Sequence, residues 1–148
     1  MENVRAADTV LHEHAGKWWM FTSLDDRRHR SNRDLCIFWA DSPLSNRWTP
    51  HPQNPVVRSF QKGRGAGRIF SLDGKLYRPS QNCLIRYGYG LNVSQITQLD
   101  AQHYSERVVC KVTSEWEPGN RATHHLDWHE GLLCMDARRL LAPEEIIS

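Results

Sequence analysis

Residues 62–81 read KGRGAGRIFSLDGKLYRPSQ, a segment that can belong either to a nucleotide-binding chain or to an all-β one. Gly63, Gly65 and Gly67 alternate with Arg64 and Ala66, and Lys62 and Arg68 flank them, which is the composition of a phosphate cradle. The residues beyond them exclude that role. A Walker-type loop ends in Lys-Ser or Lys-Thr and opens a helix whose N-terminus faces the phosphate. Here Arg68-Ile69-Phe70 follows, a strand-like run. A dinucleotide fingerprint needs a strand before its glycines and a helix after them, and neither is present. An RG-type RNA tract would repeat, and this one does not. The segment instead predicts a turn leading the chain into an inner strand. A hairpin follows on Asp73-Gly74, a pair in which glycine supplies the positive φ of a tight turn.

The same plan recurs along the chain. EHAGKWWMFTS (13–23), SLDGKLYRPSQ (71–81) and WHEGLLCMDAR (128–138) each place a turn glycine before a bulky run, and Gly16, Gly74 and Gly131 fall 58 and 57 residues apart. Short β-prone runs precede them: DTVLH (8–12), GRIFS (67–71) and THHLDW (123–128). LCIFWADS and RWTPHP lie between the first two hairpins, and YGYGLNVSQITQL and YSERVVCKV between the second and third. Four strands in roughly 57 residues is the signature of a β-propeller blade. The sequence therefore predicts an all-β fold: a partial β-propeller of about two and a half four-stranded blades in a single domain, residues 1–148. The blade-like repeats are expected at about 8–57 and 64–115, with a half blade at 122–140. An irregular β-sandwich is the alternative. Only LLAPEEIIS at the C-terminus has helical character, enough for one turn. A propeller closes with about four blades or more, so a homodimer completing five blades is expected.

Composition narrows the partners. The 148 residues suit one domain, and 19 basic against 17 acidic residues give a net charge of +2, too balanced to imply nucleic acid. Cys36, Cys83, Cys110 and Cys134 lack CxxC spacing and sit mostly in apolar runs, so buried free thiols in a reducing compartment are expected. MENVRAADTV has no apolar signal-peptide core, and no apolar run approaches the ~20 residues that span a bilayer. A soluble, cytoplasmic protein without a membrane partner is the expectation, with NVS at 92–94 a silent glycosylation acceptor. DDRRHRSNRD at 25–34 reads as a solvated charged loop, its acids offsetting its bases.

ADTVLHEHAGKWWMFTS, LCIFWADSPLSNRWTPHPQNPV, RGAGRIFSLDGKLYRPSQNC, YGYGLNVSQITQL, YSERVV and HHL follow one another in an order that carries a resemblance. The chain resembles the five-bladed propeller domain found in the N-terminal region of plant glucosamine inositolphosphorylceramide transferases. That domain is in turn similar to the arabinanase and fructosidase group of glycoside hydrolases. The match runs from about Asp8 to about Leu126, about half of the family's propeller, and RPSQNC followed by YG is its most specific part.

The resemblance implies a ligand pocket on the central axis, lined by innermost strands. Hydrolysis there would need two carboxyl groups flanking the scissile bond. Asp8 looks like the acidic position at a blade entrance in the hydrolases, with Thr9 where a proline usually follows. The positions equivalent by repeat, Ala66 and Thr123, carry no carboxylate. Glu13 or Glu106 would have to serve as the partner. The other candidates are ligand-binding: Arg64, Arg68, Arg78, Gln81, Tyr87, His124 and His125. Arginine forks bind carboxylate or phosphate and also hydrogen-bond vicinal hydroxyls, and Trp18, Trp19, Tyr77 and Tyr87 offer ring faces to a sugar. His12 with His14, and His125 with His129, share strand faces but lack the third and fourth ligands that zinc requires. No metal and no cofactor are expected. The function expected is a non-catalytic module binding carbohydrate or sugar-phosphate. A glycoside hydrolase-like or sugar-transfer accessory domain using Asp8, and an interaction module with no small ligand, are the alternatives.

Overall fold

The computed structural model describes residues 4–26 and 29–140, so residues 27–28 of the charged loop and nearly all of LLAPEEIIS lie outside the described residues. Among the described residues every regular element is a β-strand, and all pairing is antiparallel. The all-β expectation holds. No helix among them is long and apolar enough to cross a membrane.

The three expected hairpins form where the turn pairs predict them. β1 (Arg5–His14) meets β2 (Lys17–Asp25) across Ala15-Gly16, β6 (Phe70–Leu72) meets β7 (Lys75–Asn82) across Asp73-Gly74, and β11 (Leu126–His129) meets β12 (Leu132–Met135) across Glu130-Gly131. Both turn residues have positive φ in every case: 52° and 71°, 50° and 70°, 46° and 86°. Such primed two-residue turns match the right-handed twist of the strands they join.

Each of the first two hairpins grows into a meander. β3 (Asp34–Ala40) pairs with β2, and its far edge is shared by β4 (Thr49–Pro50) and β5 (Val57–Arg58). Between those two short strands Asn54 takes over the ladder, donating to the Ile37 carbonyl at 2.7 Å and accepting from the Ile37 N–H at 2.8 Å. In the second sheet β8 (Gly90–Leu99) and β9 (Tyr104–Thr113) complete the order β6-β7-β8-β9. β10 (Asn120–Ala122) pairs with β13 (Arg138–Arg139) beside the third hairpin.

Strand alternation decides which faces meet. Trp19 and Phe21 of β2, with Leu35 and Ile37 of β3, pack against Ile96, Leu99 and Tyr104 of the second sheet. Phe21 and Tyr104 meet edge to face, centroids 6.0 Å apart. Each such side chain removed from water contributes about 1.5–3 kcal/mol. The opposite face of the second sheet, through Leu91 and Val93, packs with Ala66 and with Leu126 of the third hairpin. The sheets thus stack in chain order, with the second between the other two.

The glycine-rich segment threads this stack. A Cβ at Gly63 would lie 1.8 Å from the Arg33 carbonyl oxygen, and one at Gly67 would lie 1.9 Å from that of Leu126. Between those contacts the Gly65 N–H donates to Ser23 Oγ at 3.3 Å, the Ala66 N–H donates to the Pro79 carbonyl at 3.3 Å, and the Ala66 carbonyl accepts from the Leu126 N–H at 2.7 Å. Glycine is needed because backbones pass closely. The segment is a hub through which the first two sheets and the third hairpin are joined.

The cysteine expectation needs correcting. All four are free, but only Cys36 and Cys83 are buried, while Cys110 and Cys134 are exposed. β9 is the outermost strand of its sheet, so its VVC run faces outward, with Val108 and Val109 exposed as well.

Candidate functional site

Of the three positions eight residues before a turn glycine, Asp8 and Ala66 line one cavity, and the third, Thr123, is buried next to the His124–His125 pair that completes its wall. A cavity of about 480 Å³ is walled by Asp8–Val10, by Gly65–Gly67 and by His124–His125, with Gln81, Tyr87 and Asp136 reaching in. The wall at Asp8 is shaped by a register shift between Ala7 and Val10, and Asp8 itself has φ +52°. A bulge of this kind re-aims a side chain, and here it aims a carboxylate. Thr9 is tied beneath it to Thr22, Oγ1 to Oγ1 at 2.7 Å.

Asp8 is held from one side. Arg64 Nε donates to Asp8 Oδ2 at 2.6 Å, and Gln81 Nε2 donates to the same oxygen at 3.4 Å and to the Gly65 carbonyl at 2.9 Å. Arg64 Nη1 donates to Asn32 Oδ1 at 2.6 Å, and the guanidinium lies 4.9 Å from the centroid of the Tyr87 ring. One arginine therefore fixes both a carboxylate and an aromatic face. Asp8 Oδ1 has no hydrogen-bond partner among the described residues.

The opposite wall is organised by Asp136. Its Oδ1 accepts the N–H groups of His124 at 2.9 Å and of His125 at 2.7 Å, and Oδ2 meets His124 Nδ1 at 2.5 Å. The His124 ring is thereby fixed, 5.5 Å from the Tyr87 ring. Repeat counting misses Asp136, because it lies five residues after Gly131 whereas Gln81 lies seven after Gly74. Its signal is a lone acid closing the otherwise apolar run LLCM.

Arg64, Gln81, Tyr87, His124 and His125 are brought together around Asp8. Arg68 and Arg78 are not, and each departs for a physical reason. Arg68 points into a different cleft, its Nε 2.9 and 3.0 Å from the Asp127 oxygens. That hydrogen-bonded pairing, with the guanidinium charge beside it, holds the Asp127 carboxyl below its usual range. Arg78 is buried between the first two sheets. Its Nε and Nη2 grip Glu106 at 2.8 and 2.9 Å, Nη2 also donates to the Lys62 carbonyl at 2.7 Å, and the Tyr104 hydroxyl donates to Glu106 at 2.6 Å. Burial opposes the Glu106 charge, but the Arg78 guanidinium outweighs it and holds that carboxyl below its usual range. Arg78 is buried and the Glu106 side chain is 3% exposed, and the two are paired with each other.

The remaining candidates also disperse. Glu13 is exposed near the hairpin turn, away from the cavity wall. Trp19 is buried, with Nε1 donating to the His14 carbonyl at 3.2 Å, and Tyr77 stacks on Phe70 with centroids 5.5 Å apart. His129 is exposed beside Glu130. Among the described residues no three His, Cys, Asp or Glu side chains converge as metal ligands.

These features define a class: an all-β antiparallel domain whose repeat-equivalent segments wall a cavity of carboxylate, imidazole and aromatic groups. The chain belongs to the family described as glucosamine inositolphosphorylceramide transferase 1, N-terminal, whose model matches residues 3–143. It is 35% identical over 137 residues to glucosamine inositolphosphorylceramide transferase 1 of Oryza sativa subsp. japonica, covering 90% of this chain and 18% of the relative. The protein of the same name from Arabidopsis thaliana is 35% identical over 103 residues, covering 67% of this chain and 13% of the relative. The chain thus spans less than a fifth of the length of these curated relatives. No solved structure matches it.

Proposed function

We propose that the chain is a carbohydrate-binding module, its three stacked sheets arranged as blades of a partial propeller and its ligand held in the cavity at Asp8. The observation that carries this reading is the convergence of the repeat-equivalent segments on one cavity, where Asp8 Oδ1 stands free beside the half-exposed ring of Tyr87. A carboxylate accepting from vicinal hydroxyls and a ring face under a pyranose are the usual elements of sugar recognition. The relatives' printed name, a transferase of glucosamine inositolphosphorylceramide, agrees with a sugar-bearing ligand.

The charges favour hydroxyls over phosphate. Arg64, Arg68 and Arg78 each face a carboxylate, at Asp8, Asp127 and Glu106. Hydrolysis is less well supported, because Asp136 has both oxygens engaged by His124 and the backbone. The outer edge of β1 is unpaired among the described residues, and Leu132 and Leu133 are exposed on the third hairpin. A second copy meeting these surfaces to complete five blades is part of the proposal, and sedimentation at micromolar concentration would show it as a dimer.

A glycan array, followed by titration of the best binder, tests the ligand. Asp8→Asn is expected to weaken binding by about tenfold to a hundredfold, the worth of a charge-assisted hydrogen bond. Tyr87→Ala should weaken it about tenfold. A wild-type chain that binds no glycan, or an Asp8→Asn variant that binds as tightly as wild type, overturns the reading.

A further inference from the structure

A second cleft, of about 500 Å³, opens between the β6–β7 and β11–β12 hairpins. It is distinct from the cavity at Asp8, and no residue lines both. Two half-buried aromatic rings form part of its wall. Phe70 and Trp128 lie 6.4 Å apart with their planes tilted by 49°. Phe70 is braced from behind by Tyr77, stacked at 5.5 Å, so its ring is fixed in place before any ligand arrives. Aromatic faces left partly open between two hairpins cost solvation that a flat apolar ligand face relieves.

The polar groups beside these rings are equally fixed. Arg68 lies across Asp127, with Nε and Nη2 both within 3.0 Å of its carboxylate, while the arginine side chain remains 60% exposed. Asp127 Oδ1 also accepts the Trp128 N–H at 3.0 Å, which locks the carboxylate to the strand that carries the indole. Arg68 Nη1 has no protein partner among the described residues and is a donor held in a known direction. Asp73 and Glu130 at the hairpin tips add negative charge around the rim. An anionic ligand would meet Asp73 and Glu130 against a single arginine already neutralised by Asp127, so phosphate and carboxylate ligands are disfavoured. A neutral, hydroxyl-rich ring with one apolar face meets every group suitably.

We propose that this cleft is a second carbohydrate subsite, receiving the apolar face of a neutral pyranose on Trp128 and Phe70 and its hydroxyls on the Arg68–Asp127 pair. It stands apart from the Asp8 cavity, so either site can fail without the other. Two sites on one chain would let it hold an extended glycan at two points, where linked contacts bind more tightly than either alone.

The test is titration of the full chain with neutral hexasaccharides of glucose and mannose, followed through the indole Nε1–H resonances by NMR. Trp128→Phe identifies the Trp128 resonance by its disappearance. The expected result is a saturable shift of that resonance in the wild-type chain and equally in Asp8→Asn. Binding read there should weaken severalfold in Arg68→Ala, and affinity measured by calorimetry in the Asp8→Asn background should weaken by about tenfold in Trp128→Ala, the loss of one stacked ring. Both residues are partly or largely exposed, so these variants retain the core. If no neutral oligosaccharide moves the Trp128 resonance, the proposal is overturned, whatever binds at Asp8. It is overturned equally if the shift vanishes in Asp8→Asn, because the cleft would then only report on the first cavity.

Discussion

The two junctions between the stacked sheets are built differently. The first joins Trp19, Phe21, Leu35 and Ile37 to Ile96, Leu99 and Tyr104, and it encloses the Arg78–Glu106 pair within that apolar surround. The second is thin: Ala66, Leu91, Val93 and Leu126 are its buried members, and clefts open on either side of it. Bulky groups and a buried ion pair make the first a fixed scaffold. Fewer buried residues and close backbone approach make up the second, and both candidate carbohydrate sites lie there. Both proposed sites thus lie at the junction with the smaller buried cluster, beside the junction with the larger one.

The largest test of that contrast is at the first junction. Arg78→Ala leaves Glu106, 3% exposed, without its guanidinium, and removing one partner of a buried pair typically costs about 3–5 kcal/mol. Against the ~5–15 kcal/mol that holds a domain together, such a loss should shift the urea midpoint severely or prevent expression. Arg78→Met with Glu106→Leu should recover most of it, since an apolar replacement of both partners is often neutral. A single variant losing less than about 1 kcal/mol would show that the first junction does not depend on this pair.

A smaller and more local effect is expected at the second junction. Gly67 has φ +149°, and a Cβ there would sit 1.9 Å from the Leu126 carbonyl oxygen. Gly67→Ala must therefore push the third hairpin outward, at a cost of more than about 1 kcal/mol. Hydrogen exchange should accelerate across residues 126–135 while β2, β3, β7 and β8 keep their protection. Uniform acceleration across all sheets would mean that the junctions are equally cooperative, and the contrast would fail.

What could be read in advance follows from how local each determinant is. The hairpins on Asp73-Gly74 and Glu130-Gly131 were legible because a primed turn is fixed by the two residues that form it. Ala15-Gly16 was legible only through its place in the repeat. A pocket was an implication of the family resemblance, and the repeat then singled out Asp8 and Ala66, which line the cavity, along with Thr123, which is buried beside it. Arg78 was less tractable, because its partner Glu106 lies 28 residues away on another strand and nothing nearby in sequence announces the pairing. Asp136 escaped for a related reason: it serves the backbone of residues 124 and 125 across a hairpin. The split of one edge strand into β4 and β5 depends on the Asn54 side chain standing in for a strand, a tertiary substitution without a pattern of its own.

The subtlest difference between the junctions should appear with pH. His51 is buried between β4 and β5, where Nδ1 accepts the Gln53 N–H at 3.2 Å. Its proton is therefore on Nε2, donated to the Asp100 carbonyl at 3.1 Å, across the first junction. Burial holds its pKa below the ordinary value of 6.5, so the folded chain keeps the imidazole neutral when the unfolded chain has begun to protonate it. With the folded value the lower one, this contribution to stability is complete above about pH 6.5 and is lost as pH falls through the folded pKa. His12, similarly lowered by burial and by His14, adds to the same window. Glu106 and Asp34, also lowered on folding, act only at more acid pH, below their ordinary carboxylate values of 4.5 and 3.8. Urea midpoints measured from pH 7.5 to 4.5 should therefore decline first below about 6.5, and His51→Gln should flatten part of that decline. If His51→Gln leaves the decline unchanged, the histidine is not the acid-sensitive element of the first junction, and the pH response belongs to the exposed edge at β1 instead.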